Sequence, residues 1–197
     1  VVNAVAPVIT KPASTTISAT QGVAITPITF TSDVAATFNV TGLPAGLSAT
    51  TAADGKSVTI SGTPTGYGPS NFTVSATAYG KTSSVSGSVT VAQKLPTLVL
   101  TSGSANQTVN VNAAISTIKY TASGSAASIK VDGLPNGVTP AISGLVATIS
   151  GKPSEVGTFN FSVTATNNES KTTVLSGKIV VNAVAPVITK PASTTIS

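Results

Sequence analysis

Asp33, Asp54, Asp132, Glu155 and Glu169 are the only carboxylates in the sequence; its ten basic residues are all lysine, and it has no histidine or cysteine. A nucleophile–base pair needs residue types that are missing here. Glycoside hydrolysis needs two carboxylates within about 10 Å of each other, and no spacing suggests such a pair. Calcium takes six to eight oxygens, several of them carboxylate, yet the five acids lie far apart along the chain. No catalytic, cofactor-binding or metal-ligating residue is therefore expected, and no cofactor. Without cysteine there are no disulfides and no thiolate-held metal. That absence leans toward a bacterial exterior or a reducing compartment.

Three weaker patterns remain. A Lys–Asn cross-link would need a lysine, an asparagine and a carboxyl group buried together. Lys119 and Lys130 fall in expected strands, but Lys119 alternates with Ile118 and Tyr120 and so faces out; lysines are almost never fully buried. Asn39, Asn71, Asn106, Asn160 and Asn168 each open an N-x-[ST] triplet, a pattern that a chain rich in Asn, Ser and Thr produces by chance. Tyr67 and Tyr79 fall in turn regions, where rings can serve as sugar platforms or simply pack the turn. The net charge of +5 comes from scattered lysines, with none of the arginine forks or interleaved aromatics of nucleic-acid readers. Nucleic-acid binding is not expected. No apolar run reaches the roughly 18 residues of a membrane helix, so no membrane insertion is expected of this segment.

The elements that carry these residues are strands. Hydrophobic residues make up 41% of the chain, mostly Val, Ile, Ala and Leu among Thr and Ser, too many for a disordered chain and biased toward strand formers. Phe72, Val74, Ala76 and Ala78 alternate with polar residues, as do Phe161, Val163 and Ala165, which is the period of a half-buried strand. Asp54-Gly55 predicts a hairpin turn between Leu47–Thr51 and Ser57–Ser61. The corresponding turn further on is expected at Ser143-Gly144.

The chain repeats itself on two scales. Residues 1–18 recur at 180–197 without a change, a period of 179 residues. Within that period lies a weaker repeat. Gly42-Leu43-Pro44-Ala45-Gly46-Leu47 matches Gly133-Leu134-Pro135-Asn136-Gly137-Val138, Ser61-Gly62-Thr63-Pro64 matches Ser150-Gly151-Lys152-Pro153, and Gly68 matches Gly157. The expected organisation is the end of a preceding module (1–5), module one (6–94), module two (95–184) and the first strand or strands of a further module (185–197). Each module has the size of a seven-stranded sandwich. The proline-bearing junctions are short, which predicts a semi-rigid series. The chain, which has no Met, reads as a window on a longer array, and 185–197 is expected to pair with a neighbouring module or a neighbouring chain.

The order GLP-x-G, then SG-x-P, then a glycine and a Phe-led alternating strand resembles the Putative Ig domain repeats of large bacterial surface adhesins, which are similar to cadherin-like modules. The matching positions are Gly42–Leu47, Ser61–Pro64, Gly68 and Phe72–Ala76 in module one. In module two they are Gly133–Val138, Ser150–Pro153, Gly157 and Phe161–Ala165. The resemblance implies an all-β fold of immunoglobulin-like Greek-key sandwiches in linear array. It further implies a non-enzymatic stalk or spacer, extracellular and at the cell surface, in biofilm-type adhesins. Expected partners are neighbouring repeats of the same chain and other copies of a filament, with a host or glycan ligand elsewhere in the full protein. Relatives often carry an acidic residue after the Phe-led strand, where this chain has Thr77-Ala78-Tyr79-Gly80 and Thr166-Asn167-Asn168-Glu169. Three rival roles follow from the same features: a ligand-binding module acting by avidity, an accessory region of a secreted hydrolase, and a self-assembling filament subunit.

Overall fold

The computed structural model describes residues 4–186. The chain divides into two compact units between Lys94 and Leu95, and among the described residues every regular element is a β-strand. The first unit contains β1 (Ile9–Thr10), β2 (Thr16–Thr20), β3 (Ile28–Ser32), β4 (Thr37–Thr41), β5 (Leu47–Thr51), β6 (Ser57–Gly62), β7 (Gly68–Ala78) and β8 (Lys81–Ala92). They form two four-stranded sheets, ordered β1-β3-β6-β5 and β2-β8-β7-β4. The second unit repeats the plan with β9 (Thr97–Ser102), β10 (Asn106–Asn110), β11 (Ile118–Ser123), β12 (Ala126–Asp132), β13 (Val138–Ser143), β14 (Val146–Gly151), β15 (Gly157–Asn167) and β16 (Thr172–Asn182). Its sheets run β13-β14-β11-β9 and β10-β16-β15-β12. This is the two-sheet immunoglobulin arrangement.

The seven expected strands appear as eight segments because the first is broken. Its opening part pairs antiparallel in one sheet (Ile9↔Ser32), and its second part pairs parallel in the other (Ile17↔Val89). The break falls at Lys11-Pro12, where proline has no amide hydrogen to give to a ladder. Ser14 then accepts the Thr16 amide hydrogen at 3.1 Å and restarts the strand. Ser104 does the same for Asn106 at 3.3 Å.

The alternating strands face as their periodicity predicts. Phe72, Val74 and Ala76 are buried, as are Phe161, Val163 and Ala165. The ring of Phe72 meets Phe30 edge-on at 6.2 Å, and Phe161 meets Tyr120 at 6.5 Å, a geometry worth about 1 kcal/mol beyond area burial. Directly across the neighbouring strand from each phenylalanine stands a glycine, Gly87 opposite Phe72 and Gly177 opposite Phe161. A side chain there would collide with the ring tip.

The first hairpin forms where Asp54-Gly55 places it, joining β5 to β6. The second turn is one residue later than expected: Ser143 closes β13, paired with Val146, so the two turn residues are Gly144 and Leu145. Glycine takes the first turn position because the backbone there has φ +56°, which a β-carbon resists. Of the expected strand over 185–197, residues 187–197 lie outside the described residues, as do 1–3. Its counterpart near the start of the chain forms β1 and β2.

Tyr120 occupies in module two the place that Phe30 has in module one. Its hydroxyl is buried and has no hydrogen-bond partner among the described residues, and burial raises its pKa above the usual 10.0. An unpaired buried hydroxyl costs about 1–3 kcal/mol, so Tyr120→Phe is expected to stabilise module two by about 1 kcal/mol, read as a higher urea midpoint. The sign with pH follows from linkage. The unfolded tyrosine ionises first, so stability held below pH 10 is lost as pH rises beyond it. The variant should not show that loss, whereas an alkaline decline of equal size in both proteins would contradict the assignment.

Candidate functional site

Each carboxylate whose hydrogen bond is seen is used where it stands. Asp33 accepts the Val8 amide hydrogen at 2.8 Å. Asp54 accepts that of Lys56 at 2.9 Å inside the β5–β6 turn. Glu155 accepts that of Asn136 at 3.0 Å, tying the GLP loop to the loop after β14. Asp132 pairs with Lys130 at 2.8 Å, with side chains 51% and 74% exposed. An ion pair that open to water contributes little. Glu169 lies in the β15–β16 turn, where its amide hydrogen goes to the side chain of Asn167 at 3.0 Å. The structure does not bring these acids together: among the described residues no three His, Cys, Asp or Glu side chains form a possible metal group.

The lysines are equally dispersed. Every described lysine is exposed, Lys119 and Lys130 included, so neither sits in the buried triad that an internal cross-link needs. Asn39, Asn71, Asn106 and Asn160 stand exposed on strands, and Asn168 stands exposed in a turn. Tyr67 and Tyr79 are exposed, and Tyr79 has φ +52° in the two-residue turn between β7 and β8.

The shared motif turns out to be architectural. In GLP-x-G the last glycine, Gly46 or Gly137, has φ near +90° and lies against the backbone carbonyl of Thr63 or Lys152. The amide hydrogens of Thr63 and Lys152 return to the carbonyls of Gly46 and Gly137, each at 2.9 Å. The SG-x-P segment is thus the other half of the same clasp. What recurs between modules is a device for closing a loop over the sandwich end.

Sequence reasoning missed two polar features. Asn167, 3% exposed, accepts the amide hydrogens of Glu169 and Lys171 through its side-chain oxygen and so closes the β15–β16 turn. Gln107 holds both backbone groups of Ser116, at 2.8 and 2.7 Å. The signal for Asn167 was its place at a hairpin end, a favoured position for asparagine. Gln107 had none, since its partner is fixed only by the fold.

One concave feature stands out in module one. A groove of about 440 Å³ opens between β4 and β5, with Phe38, Val40, Leu43, Leu47 and Val58 on its walls and Asn39 beside it. Its lining holds no acid, base or cation, and the surface it exposes is more polar than apolar, with Asn39, Ser48 and Thr51 among the lining residues.

Comparison with known proteins agrees with this architecture. Residues 96–182 match the family model described as "Putative Ig domain". No curated protein matches the sequence. Among solved structures, the titin domains z1z2 in complex with telethonin align over 93% of this chain and 100% of that one, at 10% identity and TM-score 0.52, a likeness of fold. An endo-fucoidan hydrolase of glycoside hydrolase family 107 aligns at 19% identity and TM-score 0.37 over 90% of this chain, which spans only 29% of that enzyme. Strand for strand the two units share one plan, and the chain is two immunoglobulin-like domains in tandem, the second of which matches the Putative Ig domain model over residues 96–182.

Proposed function

We propose that this chain is a spacer: two modules of a repeating extracellular array that carries a distal binding domain away from the cell surface, with neighbouring repeats as its partners. The observation that carries the reading is the unchanged recurrence of residues 1–18 at 180–197. Modules in series add stability unit by unit and reach in proportion to their number. Near-identical copies would let recombination alter that number. The local use of the acids and the outward placement of the lysines support a passive role, without catalysis.

The reading makes two expectations. The isolated chain should show no saturable retention on glycan arrays or host-cell surfaces. Removing whole 179-residue units from the native protein should lower attachment while leaving its specificity unchanged. Saturable retention that disappears in Tyr67→Ala or Tyr79→Ala would instead make each unit a binding module acting by avidity, and the spacer reading would fall.

A further inference from the structure

Among the described residues, each module ends on one side in two unpaired strand edges, β4 and β5 in the first and β12 and β13 in the second. A free edge leaves alternate amide and carbonyl groups unpaired and invites another strand. Module two carries three known guards against this. Lys130 and Asp132 lie on β12, the pairing of β12 with β15 slips at Ala126/Ser128, and Pro140, which has no amide hydrogen to offer, stands within β13. Module one carries none of them. β4 reads Thr37-Phe38-Asn39-Val40-Thr41, β5 reads Leu47-Ser48-Ala49-Thr50-Thr51, and β4 pairs with β7 without a slip. Counted back from the shared GLP motif, Asn39 and Thr41 stand where module two has Lys130 and Asp132.

We propose that β4 is a self-pairing edge, through which two copies of this chain join antiparallel about a two-fold axis. The occupant is a second copy because β4 is its own complement. Centred on Asn39, the pairing sets Asn39 opposite Asn39, Phe38 opposite Val40 and Thr37 opposite Thr41. Isologous contacts require this self-match. No charge opposes it, since every residue of β4 is neutral. Phe38 and Val40, with Leu43 and Leu47 beyond them, are only half-buried at the groove mouth, and the second copy's strand extends the sheet across it. The proposal holds whether or not the unit is a spacer; in an array it would let neighbouring arrays adhere sideways.

Sedimentation of the whole chain between about 10 μM and 1 mM tests it, because weak specific pairing falls in that range. The expected result is a monomer–dimer equilibrium that high salt leaves intact, since the contact is uncharged. Asn39→Lys places like charges face to face across the axis and should weaken dimerisation about tenfold or more. It should fold normally, because module two carries lysine at the same place. Register has its own readout in a chain without cysteine. Asn39→Cys should form a disulfide-linked dimer in air, since opposed α-carbons lie about 4.5–5.5 Å apart. Thr37→Cys should not, since its copy stands four residues along. A wild-type monomer throughout, unchanged dimerisation in Asn39→Lys, or equal cross-linking at both cysteines would each overturn the proposal. Capture of a foreign extended peptide by a chain that stays monomeric would overturn it as well.

Discussion

Gly87→Ala is expected to cost module one about 3 kcal/mol, the upper end of ordinary overpacking. The added β-carbon would stand 2.3 Å from the ring tip of Phe72 and 2.5 Å from the carbonyl oxygen of Thr15. Neither can move freely. The ring is held edge-on against Phe30, and the Thr15 carbonyl accepts the Ser88 amide hydrogen at 3.0 Å, next to the parallel pairing of β2 with β8. A module of this size has about 5–10 kcal/mol in total, so one methyl group would remove about a third or more. Urea unfolding followed by circular dichroism should show an early step of about half the amplitude. Adding Phe72→Leu should restore part of the loss by withdrawing the ring tip, but not all of it, because the Thr15 carbonyl stays. A Gly87→Ala midpoint indistinguishable from wild type would mean that the ring and the glycine do not fit as described.

The second large effect is expected at the clasp. Gly137 has φ +85°, and a β-carbon there would lie 2.1 Å from the Lys152 carbonyl oxygen. Backbone cannot rotate away as a side chain does, and the left-handed conformation adds about 1–2 kcal/mol. Gly137→Ala should therefore cost about 4 kcal/mol or more and open the loop that Lys152 and Ser154 close by donating amide hydrogens to Gly137 and Asn136. Gly144→Ala is the control. It shares the positive φ, at +56°, but has no atom within 4 Å of the added carbon, so it should cost only about 1 kcal/mol. Equal losses at the two positions would show that conformation, not the close approach, is what the motif needs glycine for.

These two glycines mark how far the residues could be read unaided. The GLP-x-G and SG-x-P copies are visible as a repeat, and their punctuation announces turns. That the two segments close on each other is not visible, because the contact joins residues that the intervening hairpin separates. Asp54-Gly55 located its hairpin to the residue because the turn type is set by neighbours in the chain. The same reasoning slipped by one at Gly144, where a single glycine fixes one turn position and leaves its partner open.

The sequence by itself determined the strand composition, the inward faces of β7 and β15 and the two-module repeat. All of these rest on local periodicity or on short motifs that recur along the chain. Only the tertiary structure decided that the first strand of each module changes sheets, that Gly87 and Gly177 make room for phenylalanine rings, that Tyr120 buries a hydroxyl with no partner among the described residues, and that β4 is an unguarded edge while β12 is not. Those facts depend on which distant strands become neighbours. That choice is made by the joint burial of both sheets' apolar faces, which no single segment encodes.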